Sequence, residues 1–480
     1  MSETAYRRSN ESVRDEVDVT LRVAEGELPA ALRGVLYRNG PGRQEVFGTP
    51  YDHPFDGDGL VTRFAFGDGA VRYRNRFVRT REFLEEERAG RMLHRSFGTN
   101  LPGGVRRNFL RLRFKNAANT SVMFHAGTLL ALWEGGLPHR LDPETLETLG
   151  TWDFDGRLRN DSGILDRLMA PELPFSAHPK RDPITEEIVN FGTLMGRKNK
   201  LVTYRVDGRG RMRTPHMTPL DALAFVHDFV LTERHMVFYL SAVAFRVASA
   251  LAGFSTPVGS LTGSDGAPAR LLVVPRDGGP TTTLTTRPGF LFHFANGYDE
   301  GRNAIVLDGM RMNALPSAEA TRSILRGARV PLPLTHPTRF VLDLETRSVS
   351  ESKLSERTAD LPTIDVRQTG RKHRIFYAVS GERGPREPFY HGILRHEVGV
   401  GDRVREFGDD LPGEAVFVPA RADAPEPDGW LLTLVYRTAA HRTDLYVLRA
   451  DDLETVCRLE LPHHLPIGFH GTWVPAPRDA

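Results

Sequence analysis

Four of the seventeen histidines in this 480-residue chain share one kind of setting. His178 in SAHPK, His227 in FVHDF, His293 in LFHFANGYDE and His470 in GFHGTW each lie in or beside an apolar, strand-like stretch rather than in a polar loop. Neutral imidazole is a good ligand for iron, zinc or copper, and it is also an ordinary hydrogen-bonded core group. Short metal motifs such as His-Glu-x-x-His place two ligands one helical turn apart. These four are tens of residues or more from one another, and no such local motif accompanies them. Ligands so scattered converge only where several strands each send one side chain toward a common axis. Spacing alone leaves both readings, core histidine and metal ligand, open.

The elements that must carry these side chains are mostly strands. Short apolar, β-branched or aromatic runs lie between frequent glycines (45) and prolines (33). LLALWEGG (129–136), TEEIVNFG (185–192), HMVFYLSAVAF (235–245), RFVLDLE (339–345), RIFYAVS (374–380) and WLLTLVY (430–436) read as strands. Helical periodicity is confined to stretches such as REFLEEERAGRML (81–93) and SAEATRSILRGA (317–328). LDPETLETLG (141–150), LDLETRSVS (342–350) and RADDLETVCRLEL (449–461) repeat an acidic-x-x-Thr turn between strand-like runs, as the outer hairpin of a recurring four-stranded unit would. Such repetition points to an all-β propeller, which protects its strand edges by radial closure. An immunoglobulin-like sandwich or separate β domains fit the same pattern, and the repeat is too degenerate to count blades.

Bulk properties exclude several classes. A net charge of +2 argues against nucleic acid as a partner. The single cysteine, Cys457, excludes an intrachain disulfide framework and any cysteine-built metal cluster. The polar start, MSETAYRRSNESVRDEVDV, has no apolar secretory core, and no apolar run is long enough to span a bilayer. A cytoplasmic protein is expected, with residues 1–26 as an arm and 27–480 as one closed domain. FDGDGL (55–60) lacks the ligands of an EF-hand loop and reads as a tight turn. VRRNFLRLRFK (105–115) alternates basic and apolar residues like a half-exposed strand.

The chain resembles the carotenoid cleavage oxygenases, which cleave carotenoids, apocarotenoids and stilbenes. RGVLYRNGPG (33–42), FDGDGLVTRFAF (55–66), FKNAANTSVMFHAGTLLALWEGGLPHRLDPETLETLG (114–150), SAHPKRDP, FVHDFVLTE, FHFANGYDEG, GEAVFVP and GFHGTW carry the resemblance in family order. It implies a seven-bladed β-propeller with a small helical dome over an iron centre. It further implies that His178, His227, His293 and His470 hold one Fe(II), with O2 as co-substrate. Glu134 (LWEGG) and Glu414 (GEAVF) match carboxylates that orient histidines, assigned to His227 and His470 respectively. Asp360 (ADLPTID) stands where the family has a glutamate. One methylene shorter, it reaches His293 only if the backbone moves inward or a water bridges the gap. Thr120 (AANTSV) matches a position whose methyl crowds an open iron site.

The resemblance also implies a substrate without hydrogen-bonding handles, held in an apolar tunnel; 27 phenylalanines are available to line it. Stilbene-cleaving members carry lysine before the first glutamate, where this chain has Trp133. FKNAANT and the block at 129–150 are most similar to bacterial members that cut apocarotenoids at the 15,15′ bond to give retinal. The implied reaction adds O2 across one double bond and yields two carbonyl products. The apolar stretch 245–263 matches a patch beside the tunnel mouth, so peripheral contact with the inner membrane face is expected there. The rival readings are an oxygenase for a stilbene or other aromatic alkene, and a silent lipid-binding propeller.

Overall fold

The computed structural model describes residues 7–477 apart from 112, 162, 164–166, 168–169, 195–198, 222–223, 247–248, 251, 264–265, 329 and 382–388. Its strands form seven antiparallel sheets of four to six strands, the blades of a β-propeller, besides one pair of two-residue strands. Blade I contains Gly34–Arg43, Asp58–Gly67 and Ala70–Phe77. The strands nearest the axis in the next six are Ser121–His125 (blade II), Lys180–Arg181 (III), Phe229–Leu231 (IV), Phe290–Glu300 (V), Thr358–Thr363 (VI) and Val416–Pro419 (VII).

A blade in such a ring is covered on both faces by its neighbours, so its middle strands lose polar–apolar alternation. Ile375–Gly381 is buried along its whole length. Among the described residues an apolar cluster fills each of the seven seams. Phe64 and Tyr73 of blade I pack with Leu432 and Leu445 of blade VII, and Phe191 of blade III packs with Phe229 and Phe238 of blade IV. The three acidic-x-x-Thr segments are outer hairpins, as the repeat suggested: His139–Leu141 with Thr148–Thr151, Thr335–Asp343 with Ser348–Lys353, and Arg442–Arg449 with Thr455–Glu460.

Both chain ends close the ring. Gly471–Pro475 pairs with Gly34–Arg43 as the axis-side strand of blade I, and Asp18–Thr20 pairs with Ala70–Phe77 at its outer edge. Arg22–Gly26 crosses to blade VII and pairs with Thr455–Glu460. From Asp18 onward the expected arm is therefore a clasp joining two blades. Its sequence, DVTLRVAEG, resembles a tail because these edge strands are exposed at nearly every position.

Two further expectations differ from the structure. Among its described residues VRRNFLRLRFK forms no strand: Gly103 and Gly104, at φ 104° and 72°, turn the chain into a short helix, Val105–Asn108, which leaves Phe109 and Leu110 57% and 60% exposed. The Asn108 side chain holds that turn by bonding Leu101 and the Gly104 carbonyl. FDGDGL is only in part a turn, because Asp58 opens a strand and is buried. Asp58 receives the fully buried Lys115 ammonium at 2.5 Å and Arg43 at 2.6 Å. Lys115 also reaches Glu86 on the helix Arg81–Ala89, which fastens that helix to blade I.

Candidate metal centre

The four histidines lie where axis-side strands begin. His178 precedes Lys180–Arg181, His227 precedes Phe229–Leu231 and His470 precedes Gly471–Pro475. His293 is inside Phe290–Glu300, where the ladder slips between Leu291 and Phe294. Such a bulge re-aims a side chain without ending the strand. The carboxylates come from the other three blades: Glu134 follows Thr128–Leu132 in blade II, Asp360 lies in Thr358–Thr363 of blade VI, and Glu414 precedes Val416–Pro419 of blade VII. Each blade thus contributes one group, four imidazoles and three carboxylates in all.

One ring nitrogen from each histidine falls within 4.8 Å of all the others. His178, His227 and His293 are buried and His470 is nearly so. Each Nδ1 faces a carboxylate. His470 meets Glu414 Oε1 at 2.7 Å, His293 meets Asp360 Oδ1 at 2.7 Å, and His178 meets Glu134 Oε1 at 3.0 Å. His227 lies 3.4 Å from that same Glu134 oxygen. The expected partner of Glu134 was His227, but the hydrogen bond goes to His178, because the blade II turn that carries Glu134 adjoins blade III. The shorter Asp360 reaches His293 directly. Its strand bulges between Asp360 and Thr363, and Leu361 takes a left-handed φ of 50°, which brings the backbone inward.

A carboxylate at Nδ1 holds the proton there and leaves the Nε2 lone pair free. His178 Nε2 and His470 Nε2 face each other at 3.1 Å, and His293 Nε2 is buried without a hydrogen-bond partner. Converging lone pairs repel unless a cation lies between them. Burial, reinforced by repulsion among the rings, holds His178 and His227 well below the usual imidazole range; burial also lowers His470. At His293 burial works the same way but Asp360 outweighs it, and the ring is raised. Burial would raise Glu414, yet Arg38 and His470 together hold it low. Arg38 donates to Glu414 Oε2 at 2.6 Å and to the Phe469 carbonyl at 3.2 Å. Burial pushes the Glu134 carboxyl well above its usual range. The residues present fit a divalent metal with imidazole ligands.

Thr120 is tied to the centre through its backbone, since its carbonyl accepts the His470 amide at 3.2 Å. Its hydroxyl is spent on Asn119 Oδ1 at 3.1 Å. Gly471 is required beside His470, because a Cβ there would lie 2.4 Å from the Arg38 side chain. Beside the imidazoles stands an apolar set that sequence reasoning did not single out. Phe292 packs edge-on to His227 at 5.2 Å, Phe225 stacks near it, and Phe55 meets both Phe292 and Phe469. Arg38 was also missed; its place in RGVLYRNGPG was a signal of family rather than of role.

Comparison with known proteins agrees with this geometry. A profile described as retinal pigment epithelial membrane protein matches residues 10–475. Apocarotenoid-15,15′-oxygenase of Synechocystis sp. is 34% identical over 98% of this chain and 96% of its own. Isoeugenol monooxygenase of Pseudomonas nitroreducens is 31% identical over 97% of this chain and 96% of its own. The crystal structure of cobalt-substituted Synechocystis ACO superposes with a TM-score of 0.92 at 33% identity, covering 99% of each chain. The chain therefore belongs to the retinal pigment epithelial membrane protein family, the carotenoid cleavage oxygenases.

Proposed function

We propose that this protein is a non-haem Fe(II) dioxygenase that cleaves a conjugated double bond of an apocarotenoid, the 15,15′ bond of an apocarotenal in the leading case, to give retinal and a second carbonyl product. The observation that carries the proposal is the convergence of four imidazoles whose Nδ1 atoms face carboxylates. His178, His227, His293 and His470 would hold the iron, and four neutral ligands leave it the full double charge. A bound Fe(II) supplies the activation of O2 that a polyene cannot provide alone.

The chain's own residues divide the remaining work. Glu134, Asp360 and Glu414 hold the Nδ1 protons and fix the ring orientations. The Thr120 methyl crowds the open side of the centre, keeping water away. Phe55, Phe225, Phe292 and Phe469 offer a polyene an apolar wall in which position, not acid–base chemistry, selects the bond. The balance needs no reductant: one C=C and one O2 become two C=O groups, and the substrate supplies the electrons. Trp133, beside Glu134, offers no cation to a phenol and weighs against a stilbene.

The water-insoluble substrate implies a membrane source. The expected contact near 245–263, of which residues 247–248, 251 and the Phe245 side chain lie outside the described residues, includes Phe254, 74% exposed. Gly253 presses against Asn108 and Phe109, and the buried Arg95 guanidinium bonds carbonyls of Asn108, Ala250 and Ser255. Phe254, Phe109 and Leu110 are exposed apolar residues on these two joined segments, and Arg106, Arg107 and Arg111 beside Phe109 and Leu110 in the chain are exposed, a combination suited to a peripheral anionic membrane. No described helix is long and apolar enough to cross a membrane. Aerobic incubation of iron-loaded protein with apocarotenals, β-carotene and resveratrol tests the function. Loss of long-wavelength absorbance and a retinal mass from an apocarotenal support it; turnover of resveratrol alone overturns it.

A further inference from the structure

The carboxylates at Nδ1 orient individual rings, but the three strands carrying His178, His227 and His293 must also be held in register with one another. No ladder does this, because the strands belong to different blades. A fourth carboxylate, the buried Asp228, bridges all three. It follows His227 and is 4% exposed. Its Oδ1 accepts the Phe229 amide at 2.8 Å and the Lys180 ammonium at 2.8 Å. Its Oδ2 accepts the Phe294 amide at 2.9 Å. Lys180 lies two residues beyond His178 in blade III, and Phe294 directly follows His293 in blade V. The bulge that turns His293 also disturbs the ladder at Phe294, and Asp228 takes up that N–H.

We propose that Asp228, with Lys180, is a positioning residue for the metal centre, setting the relative placement of His178, His227 and His293 across three blades. This rests on reading the four histidines as a metal site. His470 is outside the bridge and is placed separately, through Glu414, which also accepts the Gly471 amide at 2.9 Å. The demand is for a carboxylate in particular. Three donors arrive at two oxygens, and an asparagine of the same shape would turn its own NH2 toward either the Phe294 amide or the Lys180 ammonium. Such a mismatch strains the histidine placement without emptying any volume.

The test uses the full chain and Co(II), whose visible absorption reports ligand geometry, with affinity measured by chelator competition. Asp228→Asn should weaken Co(II) binding about 10- to 100-fold, as loss of an outer partner of a metal ligand does, and should change the Co(II) spectrum. The control is Asp308→Asn. Asp308 is 1% exposed and clamps Arg339 and His373 rather than any of the four histidines or their carboxylate partners. It should lower the melting temperature and leave affinity and spectrum unchanged. Wild-type affinity and spectrum in folded Asp228→Asn would overturn the proposal, as would an equal effect of the Asp308 control. If Asp228→Asn does not fold, Lys180→Gln, which cuts only the tie to blade III, must show a smaller loss with a changed spectrum; wild-type behaviour there overturns the proposal equally. Failure of the unsubstituted chain to bind Co(II) would instead defeat the metal reading beneath it.

Discussion

Lengthening Asp360 by one methylene should damage the metal centre more than removing its charge. Asp360 Oδ1 already sits 2.7 Å from His293 Nδ1 and 2.8 Å from the Leu361 amide, on a strand that has bulged inward to make this contact. A further C–C bond adds about 1.5 Å of reach, more than half of the 2.7 Å contact distance. In Asp360→Glu either His293 is driven toward the other rings or the carboxylate folds away and leaves Nδ1 unmatched. Either outcome should cost about 10- to 100-fold in metal affinity, equivalent to about 1.4–2.8 kcal/mol. Asp360→Asn keeps the length and an oxygen acceptor, so its loss should lie at the lower end of that range. Chelator competition with Fe(II) or Co(II) on both variants, with folding checked by circular dichroism, reads the difference. Wild-type affinity in Asp360→Glu together with a severe loss in Asp360→Asn would refute the reasoning, because charge rather than reach would then govern the contact.

Three other outcomes follow from the same structure. Deleting residues 465–480 should abolish metal binding and cooperative unfolding together, since it removes His470 and the Gly471–Pro475 strand whose Trp473 packs against Phe66; a folded, metal-binding product contradicts this. The Cys457 thiol is fully buried and pushed up to about 11 by burial, so a thiol reagent at pH 8 should label it only on unfolding. Deleting residues 1–26, which pair Gly26 against Cys457, should open it to rapid labelling. Phe109→Glu with Phe254→Glu should lower cosedimentation with anionic vesicles at unchanged melting temperature, whereas Leu149→Glu, at a similarly exposed apolar residue, should not.

The four histidines were legible because each lies in a local block that carries its own sequence context, and so was the strand content, because blades buried on both faces write continuous apolar runs such as IFYAVS. What escaped the sequence depends on which blades adjoin. Glu134 hydrogen-bonds His178 as well as lying 3.4 Å from the expected His227 only because a blade II turn abuts blade III. The ties of Arg38 to Glu414 and of Asp228 to Lys180 and Phe294 likewise join segments far apart in the chain. Blade count was hidden because blades I and VII are completed by strands from opposite ends of the chain. In VRRNFLRLRFK the alternation misled, since a one-turn helix and the exposed turn after it leave Val105, Phe109 and Leu110 outward.

The most direct test of the central claim is the origin of the product oxygens. Iron-loaded protein reacting with an apocarotenal under 18O2, quenched before carbonyl exchange with water and read by mass spectrometry, should place one heavy oxygen atom in each of two products, one of them retinal. Label in only one product, or in neither, would contradict dioxygenase cleavage.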